Sequence, residues 1–139
     1  MKEIVNQPKE LKGYRVVQDG DDIMKALMDG ETVMHWESGY SMYPLLSHLE
    51  YCKISPYEPQ GHPERVIGKP VFCKFLYRGE DGEIHDAYMV HRCTEIHERD
   101  GEVYYRIDST NGQCYGWTKD VYGVAESTNI FQDESVLWS

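Results

Sequence analysis

The chain has 139 residues, which is long enough for one domain with a single modest core. Apolar residues make up 40% of the sequence and charged residues 27%, a balance typical of globular proteins and unlike that of disordered ones. The 24 acidic and 14 basic residues give a net charge of −10, which argues against nucleic acid or an anionic membrane surface as the main partner.

The sequence contains no run that approaches the roughly 18 apolar residues of a membrane-spanning helix. Its polar N-terminus lacks the apolar core of a signal peptide, so we expect a soluble, cytoplasmic protein without a membrane anchor. The four cysteines, at positions 52, 73, 93 and 114, lie too far apart for a zinc knuckle, and we expect them to be reduced. The sequence pattern as a whole indicates no bound cofactor.

The first part of the chain predicts a loose arm, a short strand and one helix. Residues 1–13 form the arm and residues 14–17 the strand. Residues 19–22 provide an N-cap and an acidic first turn, and Gly30 provides a stop signal, so the apolar residues between them predict a helix of about ten residues. Such a helix is too short to be stable alone and must pack by its apolar face.

After the helix, apolar and β-branched runs separated by turn signals predict β-structure. Residues 45–49 are expected to form a short helical turn, and Pro56 to Pro63 a loop. The predicted strands cover residues 32–37, 50–55, 70–77, 84–98, 103–107 and 121–126. The fold class is therefore mainly β, as a coiled, antiparallel, partly closed β-fold with one short N-terminal helix. Residues 14–126 form its single domain, and residues 127–139 form an acidic tail that docks or frays.

A turn rich in Ser, Gly and Pro, Ser38-Gly39-Tyr40-Ser41-Met42-Tyr43-Pro44, follows the strand predicted at residues 32–37. Gly39 permits a sharp turn and Pro44 fixes its own φ angle, so the segment would hold the Ser41 hydroxyl on a rigid support. A hydroxyl held in this way suits a nucleophile, although serine is also an ordinary turn residue. Ser41 is therefore a candidate nucleophile only if the chain also supplies a base.

A candidate base lies in the long strand predicted at residues 84–98, in the run Tyr88-Met89-Val90-His91-Arg92-Cys93. Imidazole is partly neutral near physiological pH, so His91 could take a hydroxyl proton and return it to a leaving amine. Most histidines in strands are structural, and the six histidines make a chance pairing with serine easy. The combination of His91 with the serine turn is more specific than either feature alone.

That pattern resembles the signal-peptidase/LexA-like serine peptidase superfamily over about residues 32–126. Its specific parts are the Ser-Met-x-Pro block at residues 41–44 and the Val-His-Arg block at residues 90–92. The resemblance implies a mostly β, coiled-sheet fold in which Ser41 is the nucleophile. Most bacterial members and the LexA-type repressors use Lys as the base, whereas the archaeal and endoplasmic-reticulum signal peptidases use His followed by Arg. The resemblance therefore implies that His91 is the base.

The chemistry implied by the resemblance is peptide-bond hydrolysis through an acyl-enzyme on Ser41, with a peptide or protein as the substrate. The oxyanion and substrate-binding site would include Ser38, the backbone N–H of Ser41 and Met42. The base must be neutral, so activity is expected to rise with pH through roughly 6 to 7.

A third catalytic residue should orient the imidazole, and relatives of the His type use an Asp in a turn. In this chain Ser109 stands at the corresponding position and Asp108 lies one place earlier. A shift of one residue on a strand reverses the face of the side chain. The other nearby carboxylate, Asp86, lies five positions before His91 and should face the other side of a regular strand, so Asp108 ranks first.

Two alternatives remain open at this point. The first is a catalytically inactive module that keeps the fold and binds a peptide or protein partner along a strand edge. The second is a metal site in which His91 and Cys93 combine with Cys73 or Cys114. The exposed edge strands of such a fold also leave open the pairing of two chains into a homodimer.

Overall fold

The computed structural model of the protein describes residues 6–37 and 42–137. These residues form nine strands, two α-helices and one 3-10 turn at Pro63–Val66. The elements in chain order are β1 (Glu10–Leu11), β2 (Tyr14–Val16), α1 (Gly20–Met28), β3 (Val33–Glu37), β4 (Glu50–Pro56), β5 (Pro70–Arg78), β6 (Ile84–Arg99), β7 (Glu102–Asp108), β8 (Cys114–Thr118), β9 (Val121–Phe131) and α2 (Glu134–Leu137).

The strands form one open, mixed sheet in the order β1-β2-β3-β4-β9-β5-β6-β7-β8. This arrangement confirms the prediction of a mainly β protein, but the expectation of an antiparallel, partly closed sheet is wrong. Strand β2 pairs with β3 in parallel, because α1 connects them and carries the chain back to the same end of the sheet. The other paired strands are antiparallel.

Helix α1 has the boundaries that the sequence predicts. The side chain of Asp19 accepts a hydrogen bond from the backbone N–H of Asp22, at 3.1 Å, and so caps the first turn. At the other end, the N–H groups of Gly30 and Glu31 donate to carbonyls of the last turn, at 3.0 and 2.8 Å, in the pattern of a Schellman motif. The buried face of the helix consists of Ile23, Ala26 and Leu27.

The sheet separates two main clusters of buried side chains. The first cluster lies beneath α1 and includes Phe72, Val90 and Met42. The second cluster lies on the opposite face of β5 and β6 and includes Val71, Cys73, Cys93, Tyr105 and Ile107. Neighbouring residues of a strand point to opposite faces, so β6 contributes to both clusters.

The predicted arm and tail both take part in this sheet. Leu11 of β1 packs against a third cluster, which includes Trp36, Tyr51 and Leu137. Strand β9 continues beyond the predicted end at residue 126 to Phe131, which pairs with Glu50 of β4. In place of the helical turn expected at residues 45–49, the structure has irregular turns, after a single hydrogen bond from Leu46 N to the Met42 carbonyl at 2.9 Å.

Candidate functional site

The predicted nucleophile Ser41 and the predicted oxyanion residue Ser38 lie outside the described residues. The residues on either side of them are described, and both have defined surroundings. Glu37 is the last residue of β3. Met42 is 4% exposed and belongs to the same buried cluster as Val90. The side chain of Met42 is therefore part of the core, whereas the sequence predicted it in the substrate-binding site.

His91 lies on β6 directly opposite Val71 of β5. Its imidazole faces the second cluster and stacks on the ring of Tyr115 from β8, with 4.2 Å between the ring centroids and 19° between the ring planes. The Nδ1 atom of His91 is buried, and no other described residue offers it a hydrogen bond. The stacked ring is therefore held by packing, and Nδ1 is not engaged by another side chain of the described residues.

Burial lowers the pKa of His91 below its ordinary value, and the negative charge of Glu37 partly opposes this effect. The imidazole is consequently neutral at physiological pH, the state that a general base requires. Glu37, at the end of β3, therefore acts on His91 electrostatically. Val90, the neighbour of His91, shares its cluster with Met42. Met42, at the other described end of the serine segment, thus packs on the face of β6 opposite to the His91 imidazole.

Glu37 itself is held by a second histidine on its own strand. The Nε2 atom of His35 lies 3.1 Å from a carboxylate oxygen of Glu37. The Nδ1 atom of His35 lies 3.1 Å from the carbonyl oxygen of Val17, which can only accept a hydrogen bond. His35 therefore donates from Nδ1, and it donates from Nε2 to Glu37 as well only when the ring carries both protons.

Asp108 is held by contacts that do not include His91. Its carboxylate accepts hydrogen bonds from the Thr94 hydroxyl and from the Arg106 guanidinium, both at 3.2 Å. Burial tends to raise the pKa of Asp108, but hydrogen bonds from Cys114, Arg106 and Thr94 outweigh it and hold this pKa below its ordinary value.

The strand geometry explains why Asp108 and His91 do not meet. Ile107 points into the second cluster, the side on which His91 lies, and its neighbour Asp108 points to the opposite face together with Arg106. The structure therefore does not bring Asp108 to the imidazole, and its predicted orienting contact with Nδ1 is absent among the described residues. Ser109 is 1% exposed and receives a hydrogen bond at its hydroxyl from the N–H of Gln113, at 3.1 Å.

A second buried carboxylate, which the sequence analysis did not single out, anchors the chain just after the serine segment. Glu50 is fully buried and accepts hydrogen bonds from the N–H groups of Ser47 and Asn129, each at 2.8 Å, and from the Ser127 hydroxyl. Burial tends to raise the pKa of Glu50, but the hydrogen bonds, chiefly that from Ser127, outweigh it and keep this pKa below its ordinary value.

Of the cysteines of the alternative metal site, Cys73 and Cys93 are buried packing residues, whereas Cys114 is exposed. Burial raises the pKa of Cys93 to about 11, so its thiol is protonated at neutral pH when no metal is bound. Within residues 6–37 and 42–137, no group of three or more His, Cys, Asp or Glu side chains is arranged to hold a metal ion. The described residues therefore do not assemble the site proposed around His91 and Cys93.

Comparisons with models of protein families, with curated proteins and with solved structures find no match to this chain. In the described part of the chain, neither helix has the length and apolar character needed to cross a bilayer.

Proposed function

We propose that the protein is a serine endopeptidase with the signal-peptidase/LexA-like fold, in which Ser41 is the nucleophile and His91 is the base. The substrate is an extended segment of a peptide or protein. The observation that carries the proposal is the state of His91, a buried imidazole whose pKa is lowered and whose Nδ1 has no partner among the described residues. The negative charge of Glu37, the last described residue before the serine segment, acts on this imidazole and adds support.

In the proposed reaction, neutral His91 accepts the proton of the Ser41 hydroxyl while the Ser41 oxygen attacks the carbonyl carbon of the peptide bond. The backbone N–H of Ser41, with the Ser38 hydroxyl, stabilises the oxyanion of the tetrahedral intermediate. The C–N bond then breaks, and the imidazolium gives its proton to the leaving amine. The same imidazole next takes a proton from water, which hydrolyses the acyl-enzyme and regenerates Ser41.

The proposed site works as a dyad, without a carboxylate bonded to the imidazole. Stacking on Tyr115 holds the ring plane, a task that the third residue of a triad performs through a hydrogen bond. Glu37 adds a negative charge near the ring, which favours the imidazolium that forms during the reaction.

The test is covalent labelling with a fluorophosphonate, combined with cleavage of a mixture of unstructured peptides that is analysed by mass spectrometry. We expect Ser41→Ala to abolish labelling, and His91→Gln to reduce cleavage by about a thousandfold or more. His85→Gln is the matched control, because His85 lies on the same strand, is bonded to Asp81 and has no part in the proposed reaction.

The pH profile provides a further criterion for the same experiment. Because burial lowers the pKa of His91, cleavage should rise with pH through a value below 6.5 and be level at neutral pH. Labelling that survives Ser41→Ala, or cleavage that is insensitive to His91→Gln, would contradict the dyad. Peptide binding without any cleavage would identify an inactive peptide-binding module instead.

A further inference from the structure

A groove of about 990 Å³ follows β6 beyond His91, between the 3-10 turn and the paired strands β6, β7 and β8. Its apolar surface includes Ile67, Ile96 and Trp117. Ile67 is 46% exposed and Trp117 is 45% exposed, so both present large apolar groups to the groove. The segment after the 3-10 turn is attached to β6 at one end of the groove, because the Gly68 N–H donates a hydrogen bond to the Cys93 carbonyl at 2.7 Å.

The groove contains a free edge of the sheet. Strand β5 pairs with β6 only as far as Pro70 opposite Arg92, so no described strand pairs with the other edge of β6 beyond that point. On the β7 side, a two-residue turn joins Arg99 to Glu102 and makes them a hydrogen-bonded pair. Because such pairs alternate along an antiparallel ladder, the N–H and C=O groups of Ile96 and Glu98 point away from β7 and into the groove.

The charge of the groove is predominantly acidic. Glu64, Glu95 and Glu98 line it, against the single guanidinium of Arg99. Glu95 lies 3.7 Å from Arg106 and Glu64 lies 3.2 Å from His62, whereas Glu98 makes no ion pair with another described residue. The exposed ring of Trp117 lies on the face of the sheet opposite to Glu98, against His97, and presents an apolar surface to a neighbouring side chain of a bound segment.

We propose that this groove binds an extended peptide segment carrying a basic side chain, which adds as a strand to the free edge of β6 at Ile96 and Glu98. Adding a strand supplies partners for the unpaired backbone groups, and the acidic lining selects for the basic residue. The proposal rests on the proposed function only in that the segment is part of the peptidase substrate; the binding itself does not need the reaction.

The groove lies at a defined distance from the proposed base on the same strand. Ile96 and Glu98 lie five and seven residues from His91 on the same strand. At a rise of about 3.3 Å per residue, they are roughly 16 to 23 Å away from it. Between the groove and His91, the same edge of β6 is paired with β5, so the added segment must leave the edge before it reaches the base.

The experiment measures binding by fluorescence anisotropy, with the full-length Ser41→Ala variant, so that no cleavage interferes. The probe is a labelled peptide of about ten residues with alternating Val and Thr and one central Lys. We expect salt-sensitive binding that weakens about tenfold when the Lys of the peptide is replaced by Glu. N-methylation of alternate peptide bonds should abolish binding, because it removes the donors that the β6 edge requires.

Two variants of the protein test the lining of the groove. In the same Ser41→Ala background, Trp117→Ala should weaken binding about tenfold, and Glu98→Gln should weaken binding of the Lys peptide roughly two- to fivefold without affecting a peptide with Gln at that place. Glu80→Gln, at the exposed hairpin tip between β5 and β6, is the control and should change nothing.

The outcomes separate the two proposals. Binding with these preferences in a protein that cleaves no peptide would support the groove and contradict the peptidase. Cleavage by the active protein that is indifferent to Trp117→Ala, Glu98→Gln and the basic side chain would support the peptidase and overturn the groove. Tight binding of the N-methylated probe would overturn strand addition.

Discussion

The two buried carboxylates, Glu50 and Asp108, lie on different parts of the sheet and are stabilised in different ways. Glu50 is fully buried, and its bonded partners are backbone N–H groups and a hydroxyl. Asp108 is 8% exposed and faces the guanidinium of Arg106. A carboxylate held by backbone donors fixes the course of the chain, whereas one held by an arginine mainly fixes side chains on a strand surface.

This difference indicates which carboxylate matters for the candidate site. Glu50 connects the turn after the serine segment, through Ser47, to the irregular part of β9 at residues 127–129. Asp108 connects Thr94 on β6 to Arg106 on its own strand. Residue type and the resemblance favoured Asp108, but the donors around each group favour Glu50 as the residue that positions the serine segment.

The largest effect is expected from Glu50→Gln. The amide can accept at one end only, and its NH₂ group would face N–H donors, so a buried N–H would lose its acceptor. We expect the free energy of unfolding to fall by about 3 kcal/mol, measured by urea denaturation. Glu126→Gln is the matched control, because the carboxylate of Glu126 is exposed and pairs with Lys53 at the surface. Equal midpoints for the two variants would refute the anchoring role of Glu50.

An acid titration sharpens the comparison. The pKa of Glu50 in the folded protein lies below its ordinary value of 4.5, so its ionised form stabilises the fold above that pH. This stability is lost as the pH falls from about 4.5 through the folded-state pKa. We expect the wild type to lose more stability between about pH 5 and 3 than Glu50→Gln does, in urea denaturation at each pH. Parallel curves for the two proteins would assign the acid sensitivity to other groups.

Much of the fold follows from local signals in the sequence. Helix α1 begins and ends where its cap and stop residues lie, and Asp100-Gly101 forms the turn between β6 and β7 with positive φ angles at both residues. The parallel pairing of β2 with β3 and the extension of β9 to Phe131 were not predictable. They depend on contacts between segments that are far apart in the chain.

The candidate site was predictable to a similar extent. The strand around His91 and its apolar neighbours were visible in the sequence, but its burial depends on Tyr115 from another strand. The partners of Asp108 depend on irregularities in the pairing of β7 with β6 and β8, which shift the register near this residue. In the sequence, Glu50 is the first residue of an ordinary predicted strand. Its hydrogen-bond donors come from segments before and after it in the chain, so its role as an anchor was not visible.

The smallest expected effects are changes in the pKa of His91. They show which carboxylate acts on the candidate base. Asp108→Asn should cost about 1 kcal/mol of stability, since it weakens the hydrogen bonds with Thr94 and Arg106, and should leave the pKa of His91 unchanged. Glu37→Gln should lower the pKa of His91 further, because the negative charge that opposes the effect of burial is removed. Both pKa values can be followed through the imidazole proton signals in NMR spectra. A drop in the pKa of His91 in Asp108→Asn and none in Glu37→Gln would reverse the assignment, and would restore Asp108 as the carboxylate that acts on the base.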